Sequence, residues 1–172
     1  AGNHVIRTNI INDRGVHICK YMLAYQKWGN GKTPKKEKIK SDHFVGDFYV
    51  MFDKKLKEDP TLEEEIHEML RKWELGDKKV RALWKKMNKW VLGGIKETYG
   101  AFGSRFDLWP LESEFYDKPK PVLDEGVKKN IFFKNEKGDL VVKLEPELPD
   151  KVVLRADGTS VYITNDIALT KH

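Results

Sequence analysis

Tyr162 and Asp166 stand four positions apart in the stretch RADGTSVYITND, Arg155 to Asp166, and bring a phenol and a carboxylate together. A carboxylate offers two acceptor oxygens to a flat, forked cation such as a guanidinium, and a neighbouring phenol adds a hydrogen bond or a wall. Paired charged hydrogen bonds of this kind separate the fork from the point charge of an ammonium. The local pattern is that of a strand handing over to a helix. Val152 to Arg155 suits a strand and Ala156-Asp157-Gly158 a tight turn. Thr159 to Thr164 then alternates, with Val161 and Ile163 on one face and Ser160, Tyr162 and Thr164 on the other. Asn165 and Asp166 are N-cap residue types ahead of Ile167, Ala168 and Leu169. The sequence thus predicts a polar strand face ending at a helix start, where α/β sheets usually hold ligands.

Two further groups carry chemistry. Asn9, Asn12 and Asp13 lie at the end of a run of β-formers, His4 to Ile11, just before a helical stretch. Polar groups of a substrate or nucleotide can sit at such a junction, and capping of the helix is an equal alternative. His17, one turn further on, reads as a satisfied surface or core histidine. Lys78, Lys79, Arg81, Lys85, Lys86 and Lys89, interleaved with Trp84 and Trp90, form a basic aromatic helix. Its lysines are candidates for phosphate contact with an RNA, while the tryptophans fill a core. Other patterns fail on inspection. Gly31-Lys32-Thr33 lacks the upstream glycine of a phosphate loop and runs into Pro34; His67-Glu68 lacks a second histidine at Arg71. Glu63 to Glu65 near a helix start answers the macrodipole.

The elements that must position these residues follow from periodicity. After the predicted strand His4–Ile11, a helix carries Val16, Cys19, Met22 and Leu23 on one side and ends near Trp28-Gly29. A basic, mobile loop follows through Lys36. Phe44–Leu56, Leu62–Trp73 and Val80–Tyr99 read as three helices separated at Pro60 and Gly76, with Gly93-Gly94 weakening or bending the last. Phe106–Leu111 suits a strand, Val122–Lys128 a short helix, and Ile131–Leu144 a hairpin turning at Lys137-Gly138-Asp139.

The chain has 172 residues, 40% of them hydrophobic, a net charge of +5 and one cysteine, Cys19. Those values describe a globular chain with no membrane span, no internal disulfide and no cysteine-rich zinc site. The cytosol is the expected compartment. The mild positive charge is compatible with an RNA partner, although most lysine-rich surfaces are simply solvated.

The motifs themselves resemble those of a known family. DGTSVYITNDIA, Asp157 to Ala168, is similar to the DGTxxYxTxDIA-like stretch of arginyl-tRNA synthetases, which are class I enzymes. VIRTNIINDRGVHICK, Val5 to Lys20, resembles the segment after that family's HIGH-type helix, and HFVGDFYVMFD, His43 to Asp53, a helix-opening segment. The matches fall in family order. The chain departs at Asn12 and Arg14, where the family often has glycine and tryptophan, while Asp13 and Gly15 agree.

The resemblance implies an α/β fold. It would be a partial class I nucleotide-binding, Rossmann-like fold, with residues 1–30 as its first part, 31–151 as a mostly helical insertion with a small β element, and 152–172 as the return. It implies a parent enzyme, monomeric by expectation, that joins arginine to tRNA(Arg) using ATP with Mg2+. Tyr162 and Asp166 would contact the arginine, and Lys78, Lys79, Lys85, Lys86 and Lys89 are the candidate tRNA contacts. The HIGH-like and KMSKS-like signatures are expected outside this sequence, both ends read as cut, and the isolated segment is expected to be inactive. A non-catalytic RNA-binding or protein-interaction module is the alternative from another class.

Overall fold

In the computed structural model, which describes residues 2–171 except 117, 145, 147, 157, 159 and 160, strong helical periodicity becomes helix throughout the first hundred positions. In chain order these are α1 (Val16–Trp28), α2 (Pro34–Glu37), α3 (Ser41–Glu58), α4 (Leu62–Glu74) and α5 (Lys78–Ala101). Then come a 3₁₀ turn at Glu112–Glu114, α6 (Pro119–Lys128), β1 (Phe132–Lys134), β2 (Leu140–Val142), β3 (Lys151–Leu154) and α7 (Tyr162–Lys171). The fold is mixed α/β and mostly helical. Contacts divide it into two compact units, Ala1–Asn9 with Asp13–Trp109, and Ile10–Asn12 with Pro110–His172.

In the first unit α1 packs against α3, α4 and α5. With helices around it, α1 buries Ile18, Cys19 and every residue from Tyr21 to Tyr25, well beyond the single predicted stripe. Phe44, Phe48 and Phe52 of α3, Ile66 and Met69 of α4, and Met87 of α5 complete the core. Tyr25 meets Phe44, Phe48 and Trp90 edge-on, at centroid distances of 6.3, 5.3 and 5.6 Å. Such contacts add to plain burial. Cys19 lies inside this core, where burial pushes its thiol up to about 12, so it carries no thiolate at neutral pH.

Local chemistry sets the helix ends. Asp77 caps α5, accepting from the N–H groups of Lys79 and Val80 at 2.9 Å each. Thr33 caps α2, with Pro34 at its first position, so the predicted mobile basic loop contains a helical turn. At Gly93-Gly94, where weakening or bending is predicted, α5 runs on as one helix. Gly94 has a different role: a Cβ there would overlap the Asp42 carboxylate. The Lys40 ammonium, paired with Asp42 at 2.6 Å, donates to the Gly94 carbonyl at 2.7 Å and to the Thr98 hydroxyl at 2.8 Å. Only a bare backbone admits this lacing of α3 to α5.

In the second unit β1, β2 and β3 form an antiparallel sheet in that order, with Phe132 opposite Val142 and Leu140 opposite Leu154. The predicted hairpin is present. Asn135 closes it by accepting from the N–H groups of Lys137 and Asp139, and Gly138 takes φ 85°. Gly126 of α6 leaves room for the Phe132 ring. Leu123, Leu140 and Val153 make the small core, against which Ile163 and Ile167 of α7 pack.

Three predicted strands come out differently. His4–Ile11 and Phe106–Leu111 each contribute only isolated parallel bridges, Thr8 to Leu108 in the first unit and Ile11 to Leu111 in the second. A bridge with one neighbour falls short of a ladder, so β-forming composition alone does not yield a strand. The Val152–Arg155 strand forms, but it pairs antiparallel with β2 and opens no parallel sheet.

Candidate substrate-binding site

The segment bearing Tyr162 and Asp166 is helical from Tyr162 onward, so the alternating strand predicted over Thr159–Thr164 is not observed in its described part. Asp157, Thr159 and Ser160 lie outside the described residues. Thr164 explains the change. It is fully buried, donates its hydroxyl to the Val153 carbonyl, and accepts from the Val161 N–H at 2.9 Å. One hydroxyl thus ties the helix start to β3 and satisfies an N-terminal donor. Asn165 and Asp166 consequently sit inside α7 and are not its caps.

The helix then sorts its faces. Ile163 and Ile167 turn to the small core, and successive residues are offset by about 100°. Tyr162, 73% exposed, and Asp166, also exposed, stand one turn apart and share a face. The described residues build no enclosure over that face. The pair is presented as an open phenol–carboxylate edge. Beside it, Asn165 holds a buried Oδ1 with no hydrogen-bond partner among the described residues.

Asn9, Asn12 and Asp13 do not cap α1 either. The N-cap is Gly15, at φ 116° and without a side-chain cap bond. The Asn9 N–H donates to the Leu108 carbonyl at 3.1 Å, while its Nδ2 is buried with no acceptor among the described residues. Asn12 is half-buried, and Asp13 is 3% exposed. The Asp13 carbonyl accepts from Trp84 Nε1 at 2.6 Å and from Asn88 Nδ2 at 3.1 Å. Arg14, standing where the resemblance has tryptophan, reaches Glu74 at 2.6 Å and lies over the Trp73 ring at 5.4 Å. Arg81 covers the same ring at 3.6 Å. An arginine–aromatic stack therefore occupies the space beside this turn.

On α5, Lys78, Lys79, Lys85 and Lys89 are exposed. Lys86 is exposed as well, but is engaged within its own unit. Its ammonium sits over Tyr25 and Trp90, at 4.8 and 4.9 Å, and donates to the Tyr25 hydroxyl at 3.0 Å. Trp84 and Trp90 pack on the core as expected. Sequence reasoning missed Asn88. It is the polar member of the otherwise apolar stripe Val80, Trp84, Met87, Val91, and that exception was its signal.

Comparison with known proteins places the chain. A family model described as tRNA synthetases class I (R), catalytic domain, matches residues 1–172. The chain belongs to this family. It is 50% identical, over 188 residues, to an arginine–tRNA ligase of Parabacteroides distasonis, covering 99% of this chain and 32% of that protein. To the arginine–tRNA ligase of Treponema denticola it is 52% identical over 177 residues, covering 100% of this chain and 30% of the relative. Among solved structures, Thermus thermophilus arginyl-tRNA synthetase aligns with TM-score 0.71 at 28% identity, over 98% of this chain and 29% of that one. The Plasmodium falciparum enzyme aligns with TM-score 0.72 at 16% identity, over 96% and 27%, a likeness of fold. The class I synthetase segment therefore spans about a third of the length of the curated relatives it matches.

Proposed function

We propose that the protein containing this synthetase segment activates arginine with ATP and transfers it to tRNA(Arg), and that the Tyr162–Asp166 edge of α7 holds the arginine guanidinium. The observation that carries the reading is the exposed pair itself, one helical turn apart, in the stretch DGTSVYITNDIA that resembles the family's. Asp166 supplies the two acceptors a guanidinium fork requires; Tyr162 adds a hydrogen bond or a ring face. Asn9, with its unpartnered amide, and Asn12 and Asp13 lie near the substrate or nucleotide in this reading. Residues 1–30 and 152–172 flank an insertion, 31–151, in a split nucleotide-binding fold, and β3, which straddles the second boundary, stays with the insertion's sheet.

Adenylate formation is mostly a matter of holding the amino acid and phosphate in line and stabilising charge. The segment's share of that work is arginine selection. Among the described residues no three histidine, cysteine or acidic side chains converge to hold a metal. In this reading Mg2+ comes with the ATP phosphates. Lys78 and Lys79 open α5, where positive charge opposes the helix dipole. Contact with tRNA phosphates, shared with Lys85 and Lys89, gives that placement a purpose. The proposed setting is a cytoplasmic, monomeric enzyme; no helix among the described residues is long and apolar enough to cross a membrane.

The test is Asp166→Ala in the full-length protein. Arginine affinity measured by calorimetry should fall on the order of 10- to 100-fold, the worth of a charged, paired hydrogen bond. Unchanged affinity would remove Asp166 from the site.

A further inference from the structure

We infer that Asn88, with Trp84, is a positioning residue that sets Asp13 and the opening of α1 for the reaction, an inference that rests on the synthetase reading above. A peptide carbonyl has two lone pairs. At Asp13 both are filled by side chains of α5, Trp84 Nε1 at 2.6 Å and Asn88 Nδ2 at 3.1 Å. These donors lie 71 and 75 residues further along the chain. The Asn88 amide is itself oriented, because the Tyr21 hydroxyl of α1 donates to its Oδ1 at 2.8 Å and leaves Nδ2 facing the carbonyl.

Asn88 is 8% exposed and sits in an apolar stripe, where leucine would pack without the cost of desolvating an amide. Its amide is therefore justified by the bonds it makes. Two side chains of α5, one of them oriented by Tyr21 of α1, thus hold one carbonyl two residues before Gly15, whose φ of 116° turns the chain into α1. Fixing that carbonyl fixes the peptide plane between Asp13 and Arg14, and with it the direction of the Asp13 side chain and of the chain entering α1. Groups at such a junction act on a ligand only if held within a fraction of an ångström.

The experiment compares the full-length wild-type protein with Asn88→Leu, which keeps the branched side-chain outline and removes the donor, and with Asn88→His, whose Nδ1–H can take the place of Nδ2. In arginine-dependent ATP–pyrophosphate exchange with tRNA(Arg) present, Asn88→Leu should lower kcat on the order of tenfold or more. The arginine KM should move less than about twofold, because the α7 edge is untouched. The kcat loss should persist well below the thermal midpoint, which falls modestly because the buried Tyr21 hydroxyl loses its acceptor, and Asn88→His should recover most of kcat. Amide hydrogen exchange of residues 13–16 should quicken in Asn88→Leu and return towards wild type in Asn88→His. Normal kcat in Asn88→Leu, or a loss that tracks a lowered midpoint, would reduce Asn88 to a core residue. A wild-type protein without arginine-dependent pyrophosphate exchange in the presence of tRNA(Arg) would defeat the synthetase reading; unchanged amide hydrogen exchange at 13–16 would overturn the positioning role by itself.

Discussion

Within a single turn of α7, neighbouring side chains do opposite things. Ile163 and Ile167 enter the small core, Thr164 ties the helix start to β3, and Tyr162 and Asp166 are left facing outward. Replacing Tyr162 by Phe separates its two roles: a retained ring face with a loss of less than about threefold in arginine affinity means packing, while a loss nearer tenfold means a hydrogen bond from the phenol. A second residue-scale expectation concerns Asp107. The Arg7 side chain and N–H hold its carboxyl at about 2, below the ordinary 3.8. A depressed carboxyl stabilises the fold above the unfolded value, and that contribution is lost as pH falls through the folded one. The difference in thermal midpoint between wild type and Asp107→Asn should therefore be full above about pH 4 and close by about pH 2. A pH-independent difference would contradict the assignment. The candidate pair was legible in the sequence because residue type and a four-residue spacing carry it. What Thr164 does was not, since its partner carbonyl at Val153 is brought near only by the fold.

At the scale of elements, helices long enough to repeat their apolar stripe were legible, as were the hairpin and the Pro60 and Gly76 boundaries. Short alternating stretches misled: Val161 to Thr164 alternates like a strand yet begins a helix, and His4–Ile11 has strand composition but makes only bridges. N-cap residue types misled too, because Asn12-Asp13 and Asn165-Asp166 are displaced from the true helix starts at Gly15 and Val161. The two central glycines of α5 give a direct check on packing. Gly94→Ala should destabilise by about 1–3 kcal/mol through overlap with Asp42. Gly93, which is exposed and whose Cβ would meet only Ser41 Oγ at 3.6 Å, should gain about 0.5–1 kcal/mol as alanine. Equilibrium unfolding of the two variants measures both, and equal effects would mean that the Lys40–Asp42 lacing does not constrain α5.

The whole molecule is a mixed α/β segment of a class I synthetase, covering 32% of one relative and 30% of another. In the second unit the open phenol–carboxylate edge and the unpartnered Asn165 Oδ1 stand on one helix, α7. If tRNA lies along α5, removing Lys78, Lys79, Lys85 and Lys89 should weaken binding and lower the salt slope by roughly 1 for each phosphate no longer neutralised. Removing Lys86 should instead cost stability, since its ammonium is held over Tyr25 and Trp90. A salt slope unchanged in the four-lysine variant would place the RNA elsewhere. The most direct measurement is a calorimetric titration of the full-length protein with arginine, lysine and citrulline, the last having arginine's shape without its charge. Arginine should bind on the order of 100-fold more tightly than either of the others, and Asp166→Ala should erase most of that preference. Citrulline binding as well as arginine does would contradict the account at its centre.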